Sequence, residues 1–267
     1  MFILPTPQTV AFNLFGIPIY MYGIIMAFAI FVAILTANAY FNRNNPCYCK
    51  DSIIEHSIYI IFSGILGARL YYCFLNYHYY IAKPLEILDI RQGGLSIHGA
   101  ILGGVLCLFF ISRKTGVSPL KYLDAISTAT ILGQAIGRWG NYFNSEAYGL
   151  PVKSQNWGVL IPESRRVPEY MHYSLYHPAF LYESVLDILS FCILTFIYFR
   201  FGRIKGVTFF SYLMIYALIR FFIEQIRLDS ALNVDSIPIA QIVSVLLFSL
   251  GAAGLFAIFC NYWLKKS

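Results

Sequence analysis

"IPIYMYGIIMAFAIFVAILTANAY", residues 17–40, decides the fold. An apolar run of this length meets the roughly 20 residues that a helix needs to cross a bilayer. Six further runs follow, near residues 57–75, 95–112, 120–139, 178–200, 206–226 and 238–262. Only helices or closed barrels satisfy their own backbone groups in lipid, and runs this long are helical. Composition agrees: of 267 residues, 58% are hydrophobic and 12% charged, where a soluble domain carries about 25% charged. Mean hydropathy is +0.65. The expected fold is an all-α polytopic membrane protein, a bundle of about seven transmembrane helices, and a soluble core is excluded.

No repeat of 20–50 residues and no low-complexity tract interrupts the pattern. Loops between the runs are mostly short, so the chain reads as a single transmembrane domain, 1–267, with one extended loop at 141–177. Long loops of this kind are often functional. The N-terminal stretch "MFILPTPQTVAFNLFG" has neither a basic n-region nor a small-residue cleavage site, and reads as a retained interfacial segment. The net charge of +6 is dispersed among loops, so nucleic acid is not an expected partner. Cys73, Cys107, Cys192 and Cys260 lie in apolar runs, where cysteine acts as a small hydrophobe. Cys47 and Cys49 lack a second pair or a histidine cluster, so no metal site is expected, and no cofactor is implied.

Lysine and arginine in the loops set the orientation. Arg43, Lys50, Arg113, Lys114, Lys121, Arg200, Arg203, Lys205, Lys265 and Lys266 fall on one side. Lys83, Arg91, Lys153, Arg165, Arg166 and Arg227 fall on the other, three of them in the long loop. The first side is cytoplasmic on this count. The N-terminus then faces outward and the C-terminus inward.

Arg69, Arg138 and Arg220 remain, all inside or at the end of expected spans. Intramembrane ionisable residues are costly and mark functional sites by default. Tyr22 is near the outer end of the first helix, and Arg69 stands roughly 9 Å from the outer end of the second, at 1.5 Å per residue. His98 opens the third helix and Arg138 closes the fourth. His177, Tyr182 and Glu183 fall in the first turns of the fifth. Arg220, Glu224 and Arg227 are spaced to share one face of the sixth, two guanidiniums flanking one carboxylate. Snorkelling anchors would appear at both membrane faces. These groups gather at one, which is the pattern of a polar site. Spare guanidinium donors at headgroup depth suit a phosphate. Gly99 with Gly103, and Gly133 with Gly137, have the spacing that lets helix backbones approach closely.

Two other classes would also use intramembrane arginines. An anion transporter usually holds its site near the midplane, with inverted repeats and broken helices; here the charges favour one face and no repeat is seen. A scaffold would use the polar residues only to lock helices together.

The stretch "GRWGNYFNSEAYG", residues 137–149, makes the reading specific. It resembles the signature of the prolipoprotein diacylglyceryl transferases, G-R-x-G-N-F-x-N-x-E-x-x-G, with Tyr142 in place of the usual phenylalanine. Five more blocks resemble that family in the same order and spacing: "YMYGIIMAF", "GARLYY", "GGLSIHGA", "HPAFLYES" and "LIRFFIEQIR". The resemblance covers nearly the whole chain. It implies a seven-helix enzyme of the bacterial inner membrane with its active site toward the periplasm. Its partners would be phosphatidylglycerol and the signal peptide of a prolipoprotein, whose lipobox cysteine receives the diacylglyceryl group. Glycerol 1-phosphate leaves and a thioether remains. Tyr22, His98, Arg138, Asn141, Glu146, Gly149, Arg220 and Glu224 match positions important in the family.

The nucleophile of such a reaction belongs to the protein substrate, so the enzyme needs no nucleophile of its own. A free thiol has a pKa of about 8.5 and reacts as the thiolate. His98 is the candidate base, because histidine titrates near neutral pH. Glu146 and Glu224 compete for that role. Arg138 and Arg220 are the candidate phosphate clamps, placed to stabilise the leaving group. Asn141 and Asn144 are expected to orient the headgroup or brace the loop. Tyr22 donates to the lipid or holds an arginine, Glu183 pairs with a basic residue, and Arg69 is structural on this reading.

Overall fold

The computed structural model describes residues 2–46, 52–89, 93–153, 156–228, 233–234 and 237–264. Cys47, Cys49, Lys50, Arg91, Lys265 and Lys266 lie outside the described residues. The long helices are α1 (Met21–Asn44), α2 (Ser52–Leu75), α4 (Ile97–Thr115), α5 (Pro119–Asn144), α6 (Ala179–Phe201), α7 (Val207–Glu224) and α8 (Ile239–Leu264). A six-residue helix, α3 (Tyr77–Ala82), lies between α2 and α4. The protein is thus an all-α polytopic membrane protein. Six of the seven long helices are long and apolar enough to cross a bilayer. The other is α5, which carries Lys121, Asp124, Gln134, Arg138, Asn141 and Asn144. Trp139 is its one exposed residue, and the rest of the helix is buried or half-buried. A helix enclosed by other helices does not need an apolar surface, whereas α8, which meets lipid, is the most apolar of the seven.

Contacts group the chain into two units, residues 1–37 with 124–267, and residues 38–123. In the second unit α2 and α4 pack backbone to backbone. A Cβ added at Gly67 would strike the Gly99 carbonyl, and one at Gly103 would strike the Ser63 carbonyl. The small-residue spacing in α4 therefore serves close approach. In the first unit a Cβ added at Gly133 of α5 would lie 3.4 Å from the Ala29 carbonyl, and one at Gly140 would lie 3.0 Å from the Tyr22 ring. The N-terminus of α7 is capped from a distance: Asp124 accepts the Gly206 N–H at 2.7 Å and the Phe209 N–H at 2.8 Å.

Several boundaries differ from expectation. Residues 17–20 are not helical. They form β3 (Ile17–Tyr20), which pairs antiparallel with β2 (Val10–Leu14). Phe15 and Gly16 both take positive φ, as a two-residue hairpin turn requires. An apolar run that continues into a helix hides such a strand. α5 continues past residue 139 to Asn144, because its last turn is held by protein rather than lipid. α7 stops at Glu224, so Arg227 lies beyond the helix and does not share a helical face with Arg220. His177 precedes α6 rather than opening it.

The long loop has structure of its own. β1 (Phe2–Leu4), β4 (Trp157–Leu160) and β5 (Leu175–Tyr176) form one small sheet. Ala147, Tyr148, Val159, Ile161, Tyr176 and Phe180 build a buried core beneath it. A last hairpin, β6 (Asn233–Val234) with β7 (Ile237–Pro238), leads into α8.

Candidate functional site

In the first unit the ends of α5, α6 and α7 bring two arginines onto one carboxylate. Glu183, in the first turns of α6, is 1% exposed. Its Oε2 lies 3.1 Å from Arg138 Nε of α5, and its Oε1 accepts from Arg220 Nη1 of α7 at 3.3 Å. Arg220 Nη2 also meets Glu224 Oε2 at 2.6 Å, one turn along the same helix. The Arg138–Glu183 contact is close but is not aligned as a hydrogen bond. Glu183 is therefore a carboxylate shared by Arg138 and Arg220, a pairing that the spacing in the sixth helix did not indicate. A buried charge is tolerated only when paired, and here each guanidinium is balanced by a carboxylate. Both arginines keep about a fifth of their side-chain surface open, 20% and 18%. Among the described residues, no bond is made to the two Nη atoms of Arg138. Guanidinium forks held this way present donors to a tetrahedral anion.

The signature stretch forms the adjoining wall. Asn141 and Asn144, in the last turn of α5, each donate through Nδ2 to Glu146 Oε1, at 3.2 and 3.1 Å. Glu146 N–H in turn donates to the Asn141 carbonyl at 3.0 Å. A carboxylate only accepts, which fixes the orientation of both amides. Ser145 and Ala147, on either side of Glu146, both have positive φ, near 54° and 55°. Such strain in non-glycine residues persists only where surroundings enforce it, and it clusters at functional turns. Tyr22, at the start of α1, stands in the field of Glu146 and Arg138. The Gly149 N–H donates to the His177 carbonyl at 2.8 Å. A Cβ there would sit 2.8 Å from the Ile226 carbonyl, so the glycine is required by packing.

His98 and Arg69 belong to the second unit. His98 is exposed in the first turn of α4, its ring tilted against Tyr71 at 6.3 Å between centroids. Arg69 is 6% exposed and donates to the carbonyls of Glu86, Ile87, Asp89, Gly93 and Gly94. Those five bonds use all five of its N–H donors. Arg69 is a staple for the segment after α2, as read from the sequence, and has none left for a headgroup.

Two buried carboxylates escaped the sequence reading. Asp187 is 2% exposed, one turn below Glu183, and its Oδ2 has no hydrogen-bond partner among the described residues. Asp124, the α7 cap, is 4% exposed. The signal for both was present: the rule that singled out intramembrane arginines applies equally to carboxylates. Among the described residues no group of three or more histidines, cysteines or carboxylates is placed to hold a metal ion.

Comparison with known proteins finds a matching family. Residues 9–257 match the profile described as prolipoprotein diacylglyceryl transferase. A Nostoc sp. protein named phosphatidylglycerol–prolipoprotein diacylglyceryl transferase is 38% identical over 261 residues, covering 95% of this chain and 90% of the relative. A Staphylococcus carnosus protein of the same name is 39% identical over 245 residues, covering 91% and 88%. One from Fervidobacterium nodosum is 41% identical over 234 residues, covering 87% and 78%.

Proposed function

This chain belongs to the prolipoprotein diacylglyceryl transferase family, and we propose that it moves the diacylglyceryl group of phosphatidylglycerol onto the lipobox cysteine of a prolipoprotein. The observation that carries the reading is the pair Arg138 and Arg220 on one buried Glu183. The reaction breaks the bond between the lipid glycerol carbon and its phosphate oxygen and forms a bond from cysteine sulfur to that carbon. The thiol proton passes to a base, and glycerol 1-phosphate carries off the electron pair. Arg138 and Arg220 hold the headgroup phosphate and stabilise the charge that grows on it, which is electrostatic help aimed at the transition state. Glu183 and Glu224 hold those arginines in position.

His98, Glu146 and Glu224 remain the candidates for the base. Glu146 is braced by two amides, Glu224 is engaged by Arg220, and His98 has an exposed ring. In this reading Asn141 and Asn144, which both hold Glu146, and Tyr22 orient the headgroup, and Gly149 closes the turn after Glu146 through its bond to the His177 carbonyl. No cofactor takes part in this scheme.

The chain is a multi-pass bacterial membrane protein. In our reading it is a single domain of the inner membrane, N-terminus and active site toward the periplasm and C-terminus in the cytoplasm. The loop lysine and arginine distribution supports that placement.

The test uses purified protein in phosphatidylglycerol vesicles with a lipobox peptide, following peptide mass and glycerol phosphate release together. One diacylglyceryl group gained per phosphate released, lost when serine replaces the peptide cysteine, establishes the transfer. Arg138→Lys and Arg220→Lys should each depress turnover sharply, because lysine keeps the charge but cannot bind a phosphate bidentately. Normal turnover in both lysine variants would remove the clamp.

A further inference from the structure

Asp187 is a buried carboxylate that the transfer scheme leaves unused. It is 2% exposed on α6, one turn after Glu183, and so stands roughly 6 Å further along the axis on the same helix face. Its Oδ2 has no hydrogen-bond partner among the described residues. A buried polar atom without a partner is rare in a native fold and calls for a reason.

Its neighbours narrow the reason. Asp187 stands in the fields of Arg138 and Glu183, and Tyr212 of α7 stands in the field of Asp187. The Tyr212 hydroxyl has a single proton and donates it to Gln134 Oε1 of α5 at 3.5 Å. Glu183 is an acceptor, as Asp187 is, and offers it no donor. Arg138 does, because no bond is made to its two Nη atoms among the described residues. Two orphaned groups of opposite charge thus meet where the end of α5 faces the start of α6. The contact between Arg138 Nε and Glu183 is unaligned, which leaves the guanidinium room to turn.

Charge points the same way. Glu183 and Glu224 already balance Arg138 and Arg220, so Asp187 is a third carboxylate beside two guanidiniums. A buried carboxylate without a partner is costly. The reaction supplies a use for it. The phosphate of phosphatidylglycerol is a diester with a single negative charge. Glycerol 1-phosphate is a monoester, and phosphate monoesters carry about −1.5 to −2 at pH 7. Two arginines therefore hold the product more tightly than the donor, and turnover needs something to loosen it.

We propose that Asp187 is a second seat for Arg138, a positioning residue that takes the Nη fork as the phosphate leaves and so competes the product off the arginines. The inference rests on the transferase reading above. With donor lipid bound the fork meets the phosphate; after transfer Asp187 draws it back. The same carboxylate repels the charge that the product has gained.

The test uses Asp187→Asn, which keeps the size and removes the charge, and Asp187→Glu, which keeps the charge. Four quantities are compared with the parent in phosphatidylglycerol vesicles with a lipobox peptide. They are KM for the lipid, Ki for added glycerol 1-phosphate, the single-turnover transfer rate and Tm. In the Asn variant Ki should fall on the order of ten-fold, the effect of a unit charge felt across several ångström of partly screened protein. KM should fall less, because the lipid phosphate carries less charge. The single-turnover rate should hold, since chemistry precedes release, and Tm should not drop, since no hydrogen bond is lost. The Glu variant should restore Ki. A ratio of Ki to KM in the Asn variant equal to the parent's would overturn the second seat while leaving the transferase standing. A single-turnover rate lost along with Ki would also overturn it, by placing Asp187 in the chemistry. Absence of transfer by the parent would overturn both readings.

Discussion

Glu183→Gln is the most informative single change at the arginine cluster. It keeps the size of the side chain and removes the charge that two guanidiniums share. An amide presents one acceptor and one donor, so in either orientation its NH2 faces an arginine. Removing one partner of a buried ion pair costs about 3 to 5 kcal/mol. The lower end applies here, because the Arg138 contact is unaligned and both arginines are partly open to solvent. About 3 kcal/mol corresponds to a fall in Tm of roughly 5 to 6 °C for a chain of this size. Turnover should fall further than stability explains, since both arginines lose the anchor that aims them. Glu183→Asp keeps the charge but reaches only one guanidinium, and should fall between. The assay pairs thermal unfolding in detergent with diacylglyceryl transfer to a lipobox peptide below the variant's Tm. A Gln variant that unfolds and turns over like the parent would refute Glu183 as the shared anchor.

Three further outcomes are expected. Gly149→Ala should destabilise by about 1 to 3 kcal/mol through overpacking, since its Cβ would lie 2.8 Å from the Ile226 carbonyl; a parent-like Tm would contradict this. Asp124→Ala should cost about 1 to 2 kcal/mol as a lost helix cap, seen as faster amide exchange at the start of α7, and unchanged exchange there would count against the cap. Arg69→Lys replaces five donors with three, so trypsin should cut after Lys83 faster than in the parent; an equal cutting rate would show that the staple is not needed.

The seven long helices were legible because length and hydropathy are summed over many residues, and errors at single positions average out. Even α5, too polar for a hydropathy threshold, was found as an apolar core between charged ends. Its last turn was missed because Asn141 and Asn144 look like loop residues until a neighbour takes their amides. The hairpin at residues 10–20 was missed because a short apolar strand joined to an apolar helix has no period of its own. At the site, Arg220 with Glu224 was legible from i,i+4 spacing. Glu183 was expected to meet a basic residue, but not two. Which carboxylate two arginines share depends on how three helix ends meet, and that is a long-range fact. The 82 residues between Asp124 and its partner at Gly206 make the same point.

The enclosure of α5 has a consequence for how the protein is made. α5 leaves the ribosome carrying Asp124 and Arg138, before the segments that neutralise them exist. A charge within a lone helix costs of order 2 to 3 kcal/mol near the bilayer centre and less toward its ends. Alone, α5 is thus a poor candidate for release into lipid. It is settled only once α6 brings Glu183 and α7 brings its own N-terminus. Impermeant thiol labelling of Ala129→Cys in chains halted before and after α7 would read that order, and equal protection at both lengths would refute it. The same charges that equip the site thus tie the insertion of one helix to the synthesis of the next two.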